Sequence, residues 1–274
     1  MTMQLHLQQV PARNGRLWIR HGFKVFQRQP LALASLFGLF LFVAFVAMLI
    51  PGIGVFLLIG SLPLLSLGFM LATHLVLQKK TPTAGVFIAP LKLTPERRRS
   101  QLLLCGGYVL SALLIGLLSN WVDGGTFVEF LVKLRDADSS GTADLLADPR
   151  LFWGIALRFG LVILLTVPYW HAPALVHWGG QSAAQALFSS SLALWRNRGA
   201  FALNGLLWFA ITVGVGSSLG LLLNLLGLMV IAPFVQTLFS LVLSTVFYAS
   251  LYFTFVDCFM FGAPPNLLDD DKKD

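Results

Sequence analysis

The stretch DADSSGTAD, residues 136–144, spaces its oxygen-bearing side chains as the first half of a calcium loop does. Asp136, Asp138 and Ser140 stand at positions one, three and five, Gly141 at six and Asp144 at nine. Position twelve, which supplies a bidentate glutamate in such loops, holds Ala147. The expectation is a solvated turn between two helices that binds calcium weakly at most. A second chemistry is cationic. Arg158 is the one charge set well inside an apolar run, and ionisable groups in such runs are functional candidates by default. Asp123 or Glu129 is its expected partner, and a snorkelling contact with lipid headgroups is the other role open to it. His74, His171 and His177 are scattered near the ends of apolar runs with no carboxylate network around them, and read as interfacial polar anchors. Asp257, at the end of the last run, reads as hydrated. Cys105 and Cys258 read as small buried hydrophobes. With no CxxC or HExxH spacing, no nucleophile elbow, no Walker loop and no paired catalytic carboxylates, the sequence points away from an enzyme and calls for no cofactor.

The elements that hold these residues are set by composition. Of 274 residues, 57% are hydrophobic and 11% charged, where a soluble domain carries about a quarter charged. Mean hydropathy is +0.79. Six apolar runs, near 31–50, 53–77, 101–119, 151–173, 200–223 and 227–256, each approach the roughly 20 residues that a spanning helix needs. Strand-like alternation is absent. The expected fold is all-α: a single polytopic membrane bundle of six helices over 1–274, with spans 1–3 within 31–119, an outer loop at 120–150, span 4 at 151–173, spans 5–6 within 200–256, and a polar tail at 262–274.

Basic residues give the orientation. Arg13, Arg16, Arg20, Lys24, Arg28, Lys79, Lys80, Lys92, Arg97, Arg98, Arg99, Arg196, Arg198, Lys272 and Lys273 fall on one side. Lys133, Arg135 and Arg150 fall on the other. Fifteen against three places both termini in the cytoplasm. The net charge of +7 is thus a topology signal, and no nucleic-acid partner is implied, because no basic domain stands outside the apolar runs.

Two segments combine these basic residues with apolar ones at helical spacing. Over 14–29, Arg16, Arg20, Lys24 and Arg28 line one face, and Trp18, Ile19, Gly22, Phe23, Val25 and Phe26 the other. This is the pattern of an amphipathic helix at the headgroup layer, with Trp18 suited to the aromatic belt. Pro30 ends it, because proline lacks an N–H and disfavours helix at the preceding residue. Over 183–198, Leu187, Phe188, Ser191, Leu192, Leu194 and Trp195 share a face, Arg198 sits at the span entry and Gly199 is the expected break. A shift of 170 residues aligns Arg28 with Arg198, Pro63 with Pro233 and Phe69 with Phe239, which predicts a parallel internal repeat. Pro63 and Pro233, and Pro168 and Pro173 in span 4, are expected to kink their spans. In the outer loop, Phe127, Phe130, Leu131 and Leu134 form a helical stripe, with Glu129 and Lys133 as an i, i+4 pair. Asp148 and Pro149 read as the N-cap and first residue of span 4.

The entry segment VPARNGRLWIRHGFKVFQRQPL, the turn LIPGIG and the following SLPLLSLGFM resemble an uncharacterised family of proteobacterial six-span inner-membrane proteins. The resemblance covers most of the chain and rests on a W-I…G-x-x-x-F-x-R-x-P entry and a proline-bearing second span. More loosely, the layout is similar to membrane domains of unknown function or found beside glycerophosphodiester phosphodiesterases, and no soluble phosphodiesterase domain is present. The resemblance implies a bacterial inner-membrane location and this architecture, and no activity.

The functional expectation is a non-enzymatic envelope or lipid-associated role, with membrane lipids contacting Arg16, Arg20, Lys24, Arg28, Arg158 and Arg198. The alternatives are a small-solute transporter or channel, motivated by the duplicated, proline-bearing spans, and a weakly calcium-responsive sensor built on the outer loop. Gly214 and Gly216 permit close helix contact, within the chain or between the copies of a homo-oligomer.

Overall fold

The computed structural model describes residues 6–135 and 142–259. Among them the regular structure is entirely helical. The helices are α1 (Asn14–Arg28), α2 (Pro30–Met48), α3 (Gly54–Leu77), α4 (Gly85–Ile88) with a 3-10 turn at Ala89–Lys92, α5 (Pro95–Asp123), α6 (Thr126–Arg135), α7 (Thr142–Ala147), α8 (Pro149–Tyr169), α9 (Ala172–Gly179), α10 (Ala183–Arg196), α11 (Arg198–Leu225) and α12 (Ala232–Phe259). Six of these segments are long and apolar enough to cross a membrane: α2, α3, α5, α8 together with α9, α11 and α12.

The long helices pair as α2 with α3, α5 with α8, and α11 with α12, and α3 and α12 hold the centre. In its most apolar window α12 is 61% buried, against 11% for α5, α8 and α11. The core therefore lies around α12 and the C-terminal part of α3, and the outer helices turn leucine, valine and phenylalanine outward, where lipid covers them. Several hydroxyls on these helices are satisfied within their own turn: Ser35 donates to the Ala32 carbonyl (2.9 Å), Thr166 to Ile163 (2.7 Å), and Ser218 to Gly214 (2.7 Å). Such bonds let polar side chains sit on a lipid-facing helix.

The first amphipathic segment forms α1, and Pro30 opens α2 with Gln29 at φ −143°, outside the helical region. The apolar face of α1 is turned into the protein, against α11 and α12. Gly15 lies so close to the Ala200 carbonyl that a Cβ there has no room, and a Cβ on Gly22 would stand 2.9 Å from the Val246 carbonyl. Trp18 is fully buried against Phe201, with ring centroids 5.0 Å apart. It is a core residue and not a belt residue, because two glycines let the helix approach this closely.

Several boundaries differ from the sequence reading. The third long helix begins at Pro95 rather than near 101, taking Arg97, Arg98 and Arg99 into its first turns, and ends at Gly124, whose φ of +62° suits glycine. Span 4 breaks between Tyr169 and Ala172, and Pro173 then falls in the first turn of α9, where its missing N–H goes unused. Pro168 and Pro63 lie inside helices. Pro233 instead falls at the second residue of α12, because the turn after α11 runs to Ile231, so it interrupts nothing. The break before α11 falls at Asn197, with Gly199 inside the first turn. The 170-residue match also fails in packing: α1 rests on α11 and α12, while α10 rests on α8 and α9. The layout of short helix, break and helical pair recurs; the partners of the short helix do not.

Candidate functional site

One end of the bundle gathers the start of α1, the C-terminal ends of α3 and α12, the start of α5, α9 and the α10–α11 elbow. A partly buried polar framework holds it together. Asp257 accepts from Asn14 Nδ2 (2.9 Å) and Trp18 Nε1 (2.7 Å). Asn197, at the elbow, accepts from the Val10 amide through Oδ1 (2.8 Å) and donates through Nδ2 to the Gln8 carbonyl (3.0 Å). The Gln8 amide donates to the Cys258 carbonyl (2.8 Å), and Asn204 Nδ2 donates to the Gly15 carbonyl (3.1 Å). The segment before α1 is thereby tied across the elbow and the end of α12. On the neighbouring side, Gln101 donates to the Pro173 carbonyl (2.8 Å) and Arg97 to the His177 carbonyl (3.0 Å).

His171 is fully buried where span 4 breaks. Its backbone N–H donates to Ser190 Oγ (3.1 Å), and Ser190 donates to the Val167 carbonyl (3.0 Å), one of those freed by the break. Its Nε2 lies 3.0 Å from Thr254 Oγ1. Thr254 spends its own proton on the Leu251 carbonyl (2.7 Å) and also accepts from Trp170 Nε1 (3.1 Å). The network therefore assigns the His171 proton to Nε2, and Nδ1 is left buried without a partner. His171 is a core residue, not the interfacial anchor its position suggested. His74 keeps a boundary place, 2.9 Å from the Tyr252 hydroxyl and 2.8 Å from Gln78 Nε2.

The cations expected to meet lipid divide by location. Arg16 and Arg20 point outward from α1, and Lys24 and Arg28 continue the same face, half-buried. Arg198 is exposed at the elbow, its guanidinium 5.5 Å from the Trp195 ring centroid. All five sit at the same end of the bundle. Arg158 lies toward the opposite end and pairs with the fully buried Asp123, which also accepts from the Gly125 amide (2.9 Å). The Arg158 guanidinium lies 4.3 Å from the centroid of Phe127. Its charge is met within the chain.

Of the calcium-loop residues, Asp136, Asp138 and Ser140 lie outside the described residues, as does the 262–274 tail. Asp144 is exposed on α7. Among the described residues no three His, Cys, Asp or Glu side chains gather as a metal ion requires. Near this loop, Lys133 and Glu129 pair at 3.4 Å. Asp148 caps α8 by accepting from the Arg150 amide (2.8 Å), and the Arg150 guanidinium beside it holds its carboxyl below the usual carboxylate range.

Asn14, Gln101, Asn197 and Asn204 were not singled out from the sequence. Asn197 and Asn204 offered one signal: they are seven residues apart, on one face at the start of an apolar run. Their partners lie 187–189 residues away.

With this geometry in hand, the kinship of the chain is plain. It is 32% identical over 271 residues, 97% of its own length and 100% of the relative's, to a protein of Burkholderia thailandensis named a probable inner membrane protein. The chain belongs to that family of inner-membrane proteins. No protein-family model matches it, and no solved structure does.

Proposed function

We propose that this protein is a non-enzymatic component of the inner membrane whose basic end engages anionic lipid headgroups at the cytoplasmic surface, with both termini on that side. The observation that carries this reading is the way α1 is held. Its apolar face is locked into the bundle through Gly15, Trp18 and Gly22, so Arg16 and Arg20 are presented outward from a fixed helix. Basic residues near an anionic leaflet gain about 1 kcal/mol each. A helix fixed in advance loses little conformational freedom when lipid binds. The fifteen-to-three division of Lys and Arg supports the orientation.

The test is thermal unfolding of the purified full-length protein in mild detergent with added phosphatidylglycerol or phosphatidylcholine. Phosphatidylglycerol should raise the midpoint more. Replacing Arg16, Arg20 and Lys24 with Gln should shrink that difference. Equal responses to both lipids count against the reading.

A second reading, a path for small solutes, draws on a cavity of about 130 Å³ between α3, α5, α8 and α12, lined by Pro63, Tyr108, Tyr169 and Tyr248. It requires water there. Cysteines placed at Ser66 or Thr166 that resist aqueous thiol reagents from both sides would dismiss it.

A further inference from the structure

Where α10 meets α11, two cavities share a wall. The first, about 550 Å³, lies between residues 9–12 and the elbow and is lined by Arg196, Asn197 and Arg198. The second, about 530 Å³, is a groove formed by Val167, Phe188, Leu192 and Phe201. Trp195 and Arg198 line both. Each volume lies within the roughly 300–1,000 Å³ of ordinary ligand pockets. Among the described residues, no acidic side chain lines either one. Phe188 and Trp195 are 70% and 69% exposed, on a helix whose start is fixed by a Ser182–Gln185 capping box and whose other face is buried through Ala186, Ser190 and Ala193. Two large aromatics held outward from an anchored helix need an apolar cover, and in a membrane protein acyl chains supply it.

We infer that this elbow is a binding site for one anionic glycerophospholipid, its phosphate against Arg196 and Arg198 and an acyl chain along Phe188, Leu192 and Phe201. This deepens the lipid-associated reading above and rests on it. The guanidinium group is the side chain best shaped for phosphate, since its planar N–H fork offers paired donors. Arg198 is the hinge of the site. It stands at the mouth of the apolar groove, lines the polar cavity, and is steadied by the ring of Trp195. Trp195, between headgroup and chain, occupies the position that tryptophan favours at a membrane boundary. The polar wall is also fixed, because Asn197 ties residues 8 and 10 to the elbow.

The experiment is native mass spectrometry of the full-length protein in mild detergent, titrated separately with dioleoyl-phosphatidylglycerol, dioleoyl-phosphatidylcholine, dihexanoyl-phosphatidylglycerol and inorganic phosphate. The long-chain anionic lipid should give one adduct retained at higher collision energy than any other. R196Q and R198Q should each weaken it about fivefold, the factor one juxtamembrane cation contributes, whereas R196K and R198K should retain part of it. L192Q should weaken the dioleoyl lipid and leave the dihexanoyl lipid unchanged. R16Q/R20Q should leave this adduct in place. Equal retention of phosphatidylcholine, displacement by inorganic phosphate at matching concentration, or an adduct indifferent to R196Q and R198Q overturns the site. If the wild-type protein retains lipid and only R16Q/R20Q reduces it, the elbow is excluded and the broader reading stands. A wild-type protein that retains no lipid removes both.

Discussion

The Arg158–Asp123 pair allows the energetics of this bundle to be tested residue by residue. The two partners are buried unequally: the Asp123 side chain is 0% exposed and the Arg158 side chain 15%. Removing Arg158 leaves a carboxylate in the protein interior with the Gly125 amide as its remaining donor. Breaking a buried pair in this way costs about 3–5 kcal/mol. For a chain of this size that is a fall in unfolding midpoint of about 6–20 °C. Removing Asp123 is milder. Asparagine fits the space beside Gly154, which has no room for a larger group, and the guanidinium keeps its contact with Phe127. Losing one hydrogen bond to a charged group costs about 1.5–3 kcal/mol. R158M should therefore be worse than D123N, and D123N/R158M should be no worse than R158M alone, since the second change removes the stranded charge. The assay is thermal unfolding of the four proteins in one detergent, followed by fluorescence. Losses that add to within about 0.5 kcal/mol, or D123N falling further than R158M, would refute the reasoning.

Three further outcomes follow from the packing. G22L forces a side chain toward the Val246 carbonyl and Ser250 and should cost about 1–3 kcal/mol or more in the same melt, whereas G38A, in open space on α2, should be neutral or stabilising by up to about 1 kcal/mol. W18F keeps the aromatic contact with Phe201 but removes the Nε1–H donor to Asp257, and should lower stability by about 1.5–3 kcal/mol. Asp148 titrates below its ordinary range in the folded protein, so its contribution to the start of α8 is present above the ordinary carboxylate pKa and is lost as pH falls through the lower, folded value. Hydrogen exchange of the first amides of α8, followed from about pH 6 to about pH 3 and corrected for intrinsic rates, should show protection falling toward acid in the wild type and a flatter profile in D148N.

The sequence carried the long elements because their signals are local. Twenty apolar residues need no distant partner to declare themselves, and Pro30 ends α1 by its own chemistry. The spacing of Trp18, Ile19, Gly22 and Val25 identified the apolar face of α1 correctly, yet not what covers it. Lipid and protein are both apolar, and only Gly15 and Gly22, whose missing side chains admit α11 and α12, hint at which one is there. The Asn197 and Asn204 bonds were illegible for a related reason: their partners are backbone groups nearly the whole chain away, and a backbone group has no sequence signature. The 170-residue match aligns letters whose places in the fold differ. Pro63 is buried inside α3, whereas Pro233 opens α12 and is exposed. Arg158 was legible as a charge that needed a partner, and Asp123 was in reach by separation along the chain.

The most direct test of the central claim is to extract the protein from its own membrane into polymer nanodiscs, without detergent, and to measure the lipids that accompany it. Enrichment of phosphatidylglycerol and cardiolipin over the bulk membrane, falling toward the bulk composition when Arg16, Arg20, Arg196 and Arg198 are all changed to Gln, is the expected result. A lipid shell with the composition of the surrounding membrane, identical for the wild type and this variant, would contradict it.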